Sequence, residues 1–167
     1  AFSAGAVFLV RYSPTGTRIG ALPEPQFLTG VNPRAAESLF LPLPDGGAIA
    51  GFRWTTHLVR LRSDGAISWQ TAGRTGLPFP SFDFQKVKLG KTQLEVGRVS
   101  PDAQQSTMGL AATPWTLLAL ASERAPSGNA IADIYDLASG SYLGSSELPV
   151  PAVAFTYDAG KLTMLVY

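Results

Sequence analysis

Apolar and polar positions alternate with a period of two along most of this chain, and short clusters of Gly, Pro, Ser and Asp repeatedly break the alternation. A period of two puts successive side chains on opposite faces of an extended strand, and the breaks mark where the chain reverses. Three segments share one plan: "LVRYSPTGTRIG" (9–20), "LVRLRSDGAISW" (58–69) and "DIYDLASGSYLG" (133–144). Each predicts a strand, a tight turn and a second strand. The turns "SPTG", "RSDG" and "LASG" end on Gly16, Gly65 and Gly140, where a hairpin needs a positive φ that glycine adopts at little cost.

The first two of these glycines lie 49 residues apart, the second and third 75. A four-stranded repeat unit with its connections takes about 40–50 residues. The first interval fits one unit; the second fits a unit with an insertion, or nearly two short units. Upstream of the second hairpin, "ESLFLPLPDGGAIAGFRWTT" (37–56) predicts two more strands joined at "PDGG". Upstream of the third, "STMGLAATPWTLLALASE" (106–123) predicts two strands broken near "TP". Each set of four reads as an antiparallel meander, the blade of a propeller. Between them, "FDFQKVKLGKTQLEVGRV" (82–99) predicts one further hairpin turning at "LGKT".

The ends are complementary. Residues 6–22 supply a hairpin of the outer kind alone, and residues 152–167, turning at "DAG", supply one of the inner kind alone. Together they are expected to complete one blade. The segment "IADIYDLASGSYLGSSELPVPAVAFTYDAGKLTMLVY" (131–167) resembles the last blade of bacterial six-bladed β-propellers of the NHL-like kind, and "LVRYSPTGTRIG" is similar to a blade hairpin of that family. The resemblance covers about two thirds of the chain and fades between Arg74 and Gln105. It implies a single all-β domain over residues 1–167, a propeller-like array of antiparallel four-stranded meander blades. Six blades of this size need about 240 residues. With material for three to four blades, the chain is either a compact four-bladed ring or a partial propeller. A partial propeller leaves edges and apolar faces for a partner to cover.

Composition narrows the function. Hydrophobic residues are 46% and charged residues 15% of the 167, which sets the chain apart from disordered tails. Thirteen basic and twelve acidic residues leave a formal charge of +1, so nucleic acid is not an expected partner. With no cysteine, disulfides, thiolate metal sites and cysteine nucleophiles are excluded. The longest apolar runs, "AVFLV" and "WTLLALA", fall far short of the roughly 18–20 residues of a membrane helix. The first residues, "AFSAG", read as a processed terminus or a boundary cut in a longer chain, and with the Ser/Thr-rich turns they point outside the cytoplasm.

Few residues carry chemistry. His57 is the only histidine, and no G-x-S-x-G elbow accompanies it. The related hairpins have Phe8 and Ala132 in its place, so the repeat does not require it. Arg53, His57, Arg60 and Arg62 form the candidate docking face. Alternation along 58–62 places Val59 and Leu61 on one side and Leu58, Arg60 and Arg62 on the other, the pattern of a half-buried strand with a solvated basic face. "LGKT" lacks the first glycine of a P-loop, since Gln85 stands there. Most aspartates fall in turns. The family resemblance implies one alternative, a calcium-dependent, lactonase-like hydrolase or a small-ligand-binding propeller, with Asn129 and Asp133 as metal candidates. Trp54, Trp69, Trp115, Phe52, Phe82 and Phe84 are expected to wedge between blades.

These readings predict no catalytic residues, cofactor or metal site. The expected role is a non-catalytic binding or structural module, an extracytoplasmic accessory subunit of a larger complex. That complex is of a membrane-bound, electron-transfer or photosynthetic kind. Its partners are other protein subunits covering exposed blade edges, and the chain itself has no membrane span.

Overall fold

The protein is described here by a computed structural model covering residues 7–13, 15–23, 25–29, 31, 36–74, 80–90, 92–100, 103 and 105–166. Among the described residues it is all-β, with antiparallel sheets of two to four strands and no α-helix. The first hairpin is β1 (Val7–Tyr12) and β2 (Arg18–Pro23). A four-stranded meander follows: β3 (Ser38–Pro42), β4 (Ala48–Phe52), β5 (Leu58–Leu61) and β6 (Ile67–Thr71), in spatial order β3-β4-β5-β6. A long hairpin, β7 (Phe82–Leu89) and β8 (Thr92–Val99), separates it from a second meander. That meander is β9 (Thr107–Ala112), β10 (Thr116–Arg124), β11 (Ala130–Asp136) and β12 (Tyr142–Glu147), again paired in chain order. A last hairpin joins β13 (Ala152–Asp158) to β14 (Lys161–Val166).

Turn chemistry sets these boundaries. In the first meander Leu43 N–H donates to Gly47 and Gly46 N–H to Leu43, closing the "PDGG" turn, and Asp45 caps it by accepting from Gly47 N–H at 2.9 Å. The same pair of backbone bonds recurs at Arg62/Ala66 and Gly65/Arg62, where Asp64 accepts from Ala66 N–H. A short polar side chain that bonds the backbone two residues on holds the turn without help from the core.

Packing couples the two meanders face to face. Leu43, Ile49, Leu58 and Trp69 of the first meet Leu117, Ala119 and Tyr135 of the second in one apolar cluster. On its far side the second meander packs Leu120, Ala130 and Ala132 against Ala152 and Phe155 of β13. The first meander covers its own far face with Phe27 and Leu28, from a 3-10 turn at Gln26–Leu28, over Ala50, Phe52, Val59 and Leu61. Both four-stranded sheets are therefore sandwiched, which is why "WTLLALA" is an unbroken apolar run: Leu117 and Ala119 face one cluster, Leu118 and Leu120 the other. Burying such a side chain contributes roughly 1.5–3 kcal/mol.

Two sequence expectations change. The strand at 58–61 is buried on both faces, not one, because Leu58 faces the second meander while Val59 and Leu61 face Phe27 and Leu28. The terminal hairpins do not share a sheet: β1–β2 and β13–β14 stay separate two-stranded sheets, and the five sheets do not close on one another. The aromatic residues also divide. Trp69 lies in the seam between meanders and Phe52 in the core beneath Phe27, whereas Trp115 is 80% exposed and Phe84 is exposed on its hairpin. The side chain of Phe82 lies outside the described residues.

Candidate functional site

The candidate docking residues occupy four different environments along the first meander. Arg53 follows β4, and its Nη1 pairs with Glu37 Oε1 at 3.0 Å. Its backbone carbonyl accepts from Ser106 N–H at 2.7 Å, which ties the start of the second meander to the end of β4. His57 precedes β5 on the opposite side from the seam. Its Nδ1 lies 2.7 Å from Thr55 Oγ1, and its ring stacks on Phe27 at 4.6 Å and 11°. Burial holds its pKa below the ordinary 6.5, so the ring stays neutral at pH 7.

Arg60 points into the seam. It donates from Nη1 to the Leu137 carbonyl at 2.8 Å and from Nη2 to Asp45 Oδ2 at 2.8 Å. Trp69 Nε1 donates to the same carbonyl at 3.1 Å. The Leu137 carbonyl, in the β11–β12 turn, is thus the acceptor through which both side chains of the first meander grip the second. Arg62 stands exposed beside Asp64, its Nε 3.5 Å from Oδ1. The four residues do not form one basic face: Arg60 is inside a sheet-to-sheet contact, His57 is stacked on the reverse side, and each arginine has an acidic partner.

What the turns do bring together is a cleft of about 590 Å³. The β3–β4 turn supplies Leu43 and Asp45, the β9–β10 turn Thr113 and Pro114, and the end of β13 Tyr157 and Asp158. Arg60 and Leu137 form its floor on one side. Asp45 is held below the usual carboxylate range, first by the Gly47 N–H and then by Arg60. It is therefore an anion at neutral pH and unfit as a proton donor. The other polar groups here are hydroxyls and the Asp158 carboxylate, and Thr113 Oγ1 is engaged with Thr116 Oγ1 at 2.7 Å.

At the other end of the seam lies a polar cluster that sequence reading missed. Arg74, just after β6, pairs with Glu123 and places Nε 3.7 Å from Asp133 Oδ1. Asp133 is only 6% exposed and accepts from Ser145 Oγ at 2.5 Å, while Ser145 shares a 2.6 Å hydrogen bond with Tyr142. Burial tends to lower the Arg74 pKa, but Asp133 and Glu123 outweigh it and raise the value. Tyr135, edge-on to Tyr142 at 5.6 Å, is pushed up to about 12, by burial first and then by the Asp133 charge. The signal for this cluster was an aspartate on the seam-facing register of an otherwise apolar strand, "AIADIYD".

The two residues named as metal candidates lie in separate contacts. Asn129 Nδ2 donates to Glu147 Oε1 at 2.9 Å, and Asp133 is taken by Ser145 and Arg74. Among the described residues no three His, Asp or Glu side chains come close enough to hold a metal ion, and no helix is long and apolar enough to cross a membrane. Compared with protein-family models, with curated proteins and with solved structures, the chain matches none.

Proposed function

We propose that this chain is a non-catalytic binding and structural module, a partial propeller of the NHL-like kind. In this reading it acts outside the cytoplasm as an accessory subunit of a larger assembly, of the membrane-bound electron-transfer or photosynthetic kind. The observation that carries the reading is exposed apolar surface on hairpins that, among the described residues, belong to no larger sheet. In β7–β8 the pair Val87 and Leu94 are directly opposed, with Val96 and Leu89 on either side of them. Val87, Leu89, Leu94 and Val96 share one face and are exposed by 40–63%. Leu165 and Val166 on β14 are exposed by 60% and 46%. Open strand edges with apolar flanks are what soluble monomers avoid and what subunits bury.

Native purification of the protein from its host, followed by mass measurement of the intact species, tests the reading. The expected result is a stoichiometric complex in which these residues are protected from labelling. A free protein carrying calcium, with hydrolytic activity lost in chelator, would instead establish the lactonase-like alternative and overturn the proposal.

A further inference from the structure

Positive charge is segregated in this chain. Three of its four lysines, Lys86, Lys88 and Lys91, fall within six residues at the tip of the β7–β8 hairpin. Residues 86–94 hold no acidic residue, so their formal charge is +3, against +1 for the whole chain, which leaves the rest at −2. The arginines of the two meanders are paired: Arg53, Arg60, Arg62 and Arg74 each stand beside a carboxylate. Lys86 and Lys88 are exposed and form no ion pair with a described residue. Lys91, and the side chain of the Glu95 that stands opposite Lys86 in register, lie outside the described residues.

Aliphatic side chains gather at the same tip. Val87, Leu89 and Leu94 share one face of the ribbon and are exposed by 40%, 63% and 45%, while Lys86 and Lys88 alternate with them along β7. The hairpin stands apart from the core. No residue of β7 or β8 enters any of the three apolar clusters, and among the described residues the two strands pair only with each other. Lysines on an exposed ribbon suffice to guard its edges against pairing with other strands. A row of exposed aliphatic side chains beside them works against such a guard, so edge protection accounts for the charge and not for the apolar face. Cationic and aliphatic side chains together at one tip are the composition of a segment that settles on an anionic bilayer surface.

We propose that the tip of the β7–β8 hairpin docks on an anionic lipid bilayer, with Val87, Leu89 and Leu94 in the interface and the lysines at the phosphates. A strand rises about 3.4 Å per residue, so these three side chains lie within about 10 Å of the Gly90–Lys91 turn. That is the depth, about 5–10 Å, to which interfacial segments bury their apolar side. Lys86 and Lys88 then stand at headgroup level, where long side chains keep the apolar stem inside and the ammonium at the surface. The contact does not depend on the accessory-subunit reading, and it leaves the exposed residues of β14 to protein partners.

The test is flotation of the full 167-residue chain with vesicles of phosphatidylcholine alone and of phosphatidylcholine mixed with phosphatidylglycerol, at rising salt. The expected result is binding to the mixed vesicles that falls as salt shortens the range of the field, with little binding to the neutral ones. Lys86→Gln and Lys88→Gln should each weaken that binding about fivefold, the effect of one lysine near an anionic surface. Lys161→Gln, which removes the same charge from β14, should leave it unchanged. Leu89→Ser with Leu94→Ser should lose at least about tenfold, because both apolar side chains are given up. It should keep the near-ultraviolet signature of Trp69, since the hairpin lies outside the seam. No binding to the mixed vesicles, or equal binding to both kinds, overturns the inference. A loss in Lys161→Gln equal to that in Lys88→Gln also overturns it, because net charge and not the tip would then be at work. A chain that ignores vesicles but shows the hairpin protected within a native complex returns this face to a protein subunit and sinks the lipid contact alone. Vesicle binding by a chain that purifies free of any complex would sink only the accessory-subunit reading.

Discussion

Gly140 shows how a single residue serves both a turn and the seam. It has φ +74, and a Cβ built on it would stand 2.6 Å from the Trp69 ring. Gly16, in the equivalent turn of the first hairpin, has φ +80 with nothing within 4 Å. The left-handed backbone costs a side chain about 1–2 kcal/mol at either position. Only at Gly140 must the indole also move, and overpacking adds about 1–3 kcal/mol. Gly140→Ala should therefore destabilise by roughly 2–4 kcal/mol and Gly16→Ala by about 1–2, read as the difference in urea midpoints. Equal losses would mean that the Trp69 contact contributes nothing. His57 sets a pH dependence at the same scale. Burial depresses its folded pKa below 6.5, so the unfolded chain takes up the proton first. Stability should be flat above about pH 7.5, decline as pH falls through 6.5, and level off below the folded-state value. His57→Gln should remove that decline and leave the separate acid loss of Asp45, Asp64, Asp136 and Glu147, whose lowered pKa values place it below about pH 4.5. A decline that survives in His57→Gln would assign it to another group.

At the scale of elements, strands and turns were legible in the sequence because both are local. Alternation and the turn glycines locate all the strands, from β1 to β14, and Asp45, Asp64 and Asp136 bond their own turns as such residues do. How sheets stack was not legible. The run 58–62 alternates like a half-exposed strand, yet Arg60 reaches across to the Leu137 carbonyl of the second meander, which no period in the sequence reports. For the same reason the cleft, assembled from three turns far apart in the chain, and the Arg74 cluster had no sequence signature beyond the misplaced charge of Asp133. That cluster clamps one meander to the other. Arg74→Met leaves Asp133 buried with Ser145 as its remaining hydrogen-bond donor, and the loss should be about 1–3 kcal/mol. Asp133→Asn in the Arg74→Met background should recover part of it, because the uncompensated charge is gone. If the double variant were as unstable as the sum of the two single ones, the residues would not be coupled and the clamp would be an incidental surface pair.

For the whole molecule, the decisive property is whether its folded state is one chain or two. The hydrophobic clusters run out at β14, where Leu165 and Val166 are exposed and, among the described residues, the strand pairs with β13 alone. If a second chain covers that edge, folding is bimolecular and mass action enters the stability. Each tenfold rise in protein concentration adds about 1.4 kcal/mol per dimer. With the unfolding entropy expected for two chains of this length, the midpoint should climb by roughly 2 °C per tenfold, or about 4 °C across a hundredfold range. A chain that closes on itself shows no such shift. Salt should leave the slope nearly unchanged, because a net charge of +1 gives little repulsion to screen. Weakening the edge should act on this slope before it acts on the core. Replacing the exposed Leu165 and Val166 by Ser should abolish any such slope while the near-ultraviolet signature of Trp69 in the seam survives. If Trp69 loses its signature as well, the seam and the β14 edge form one cooperative unit.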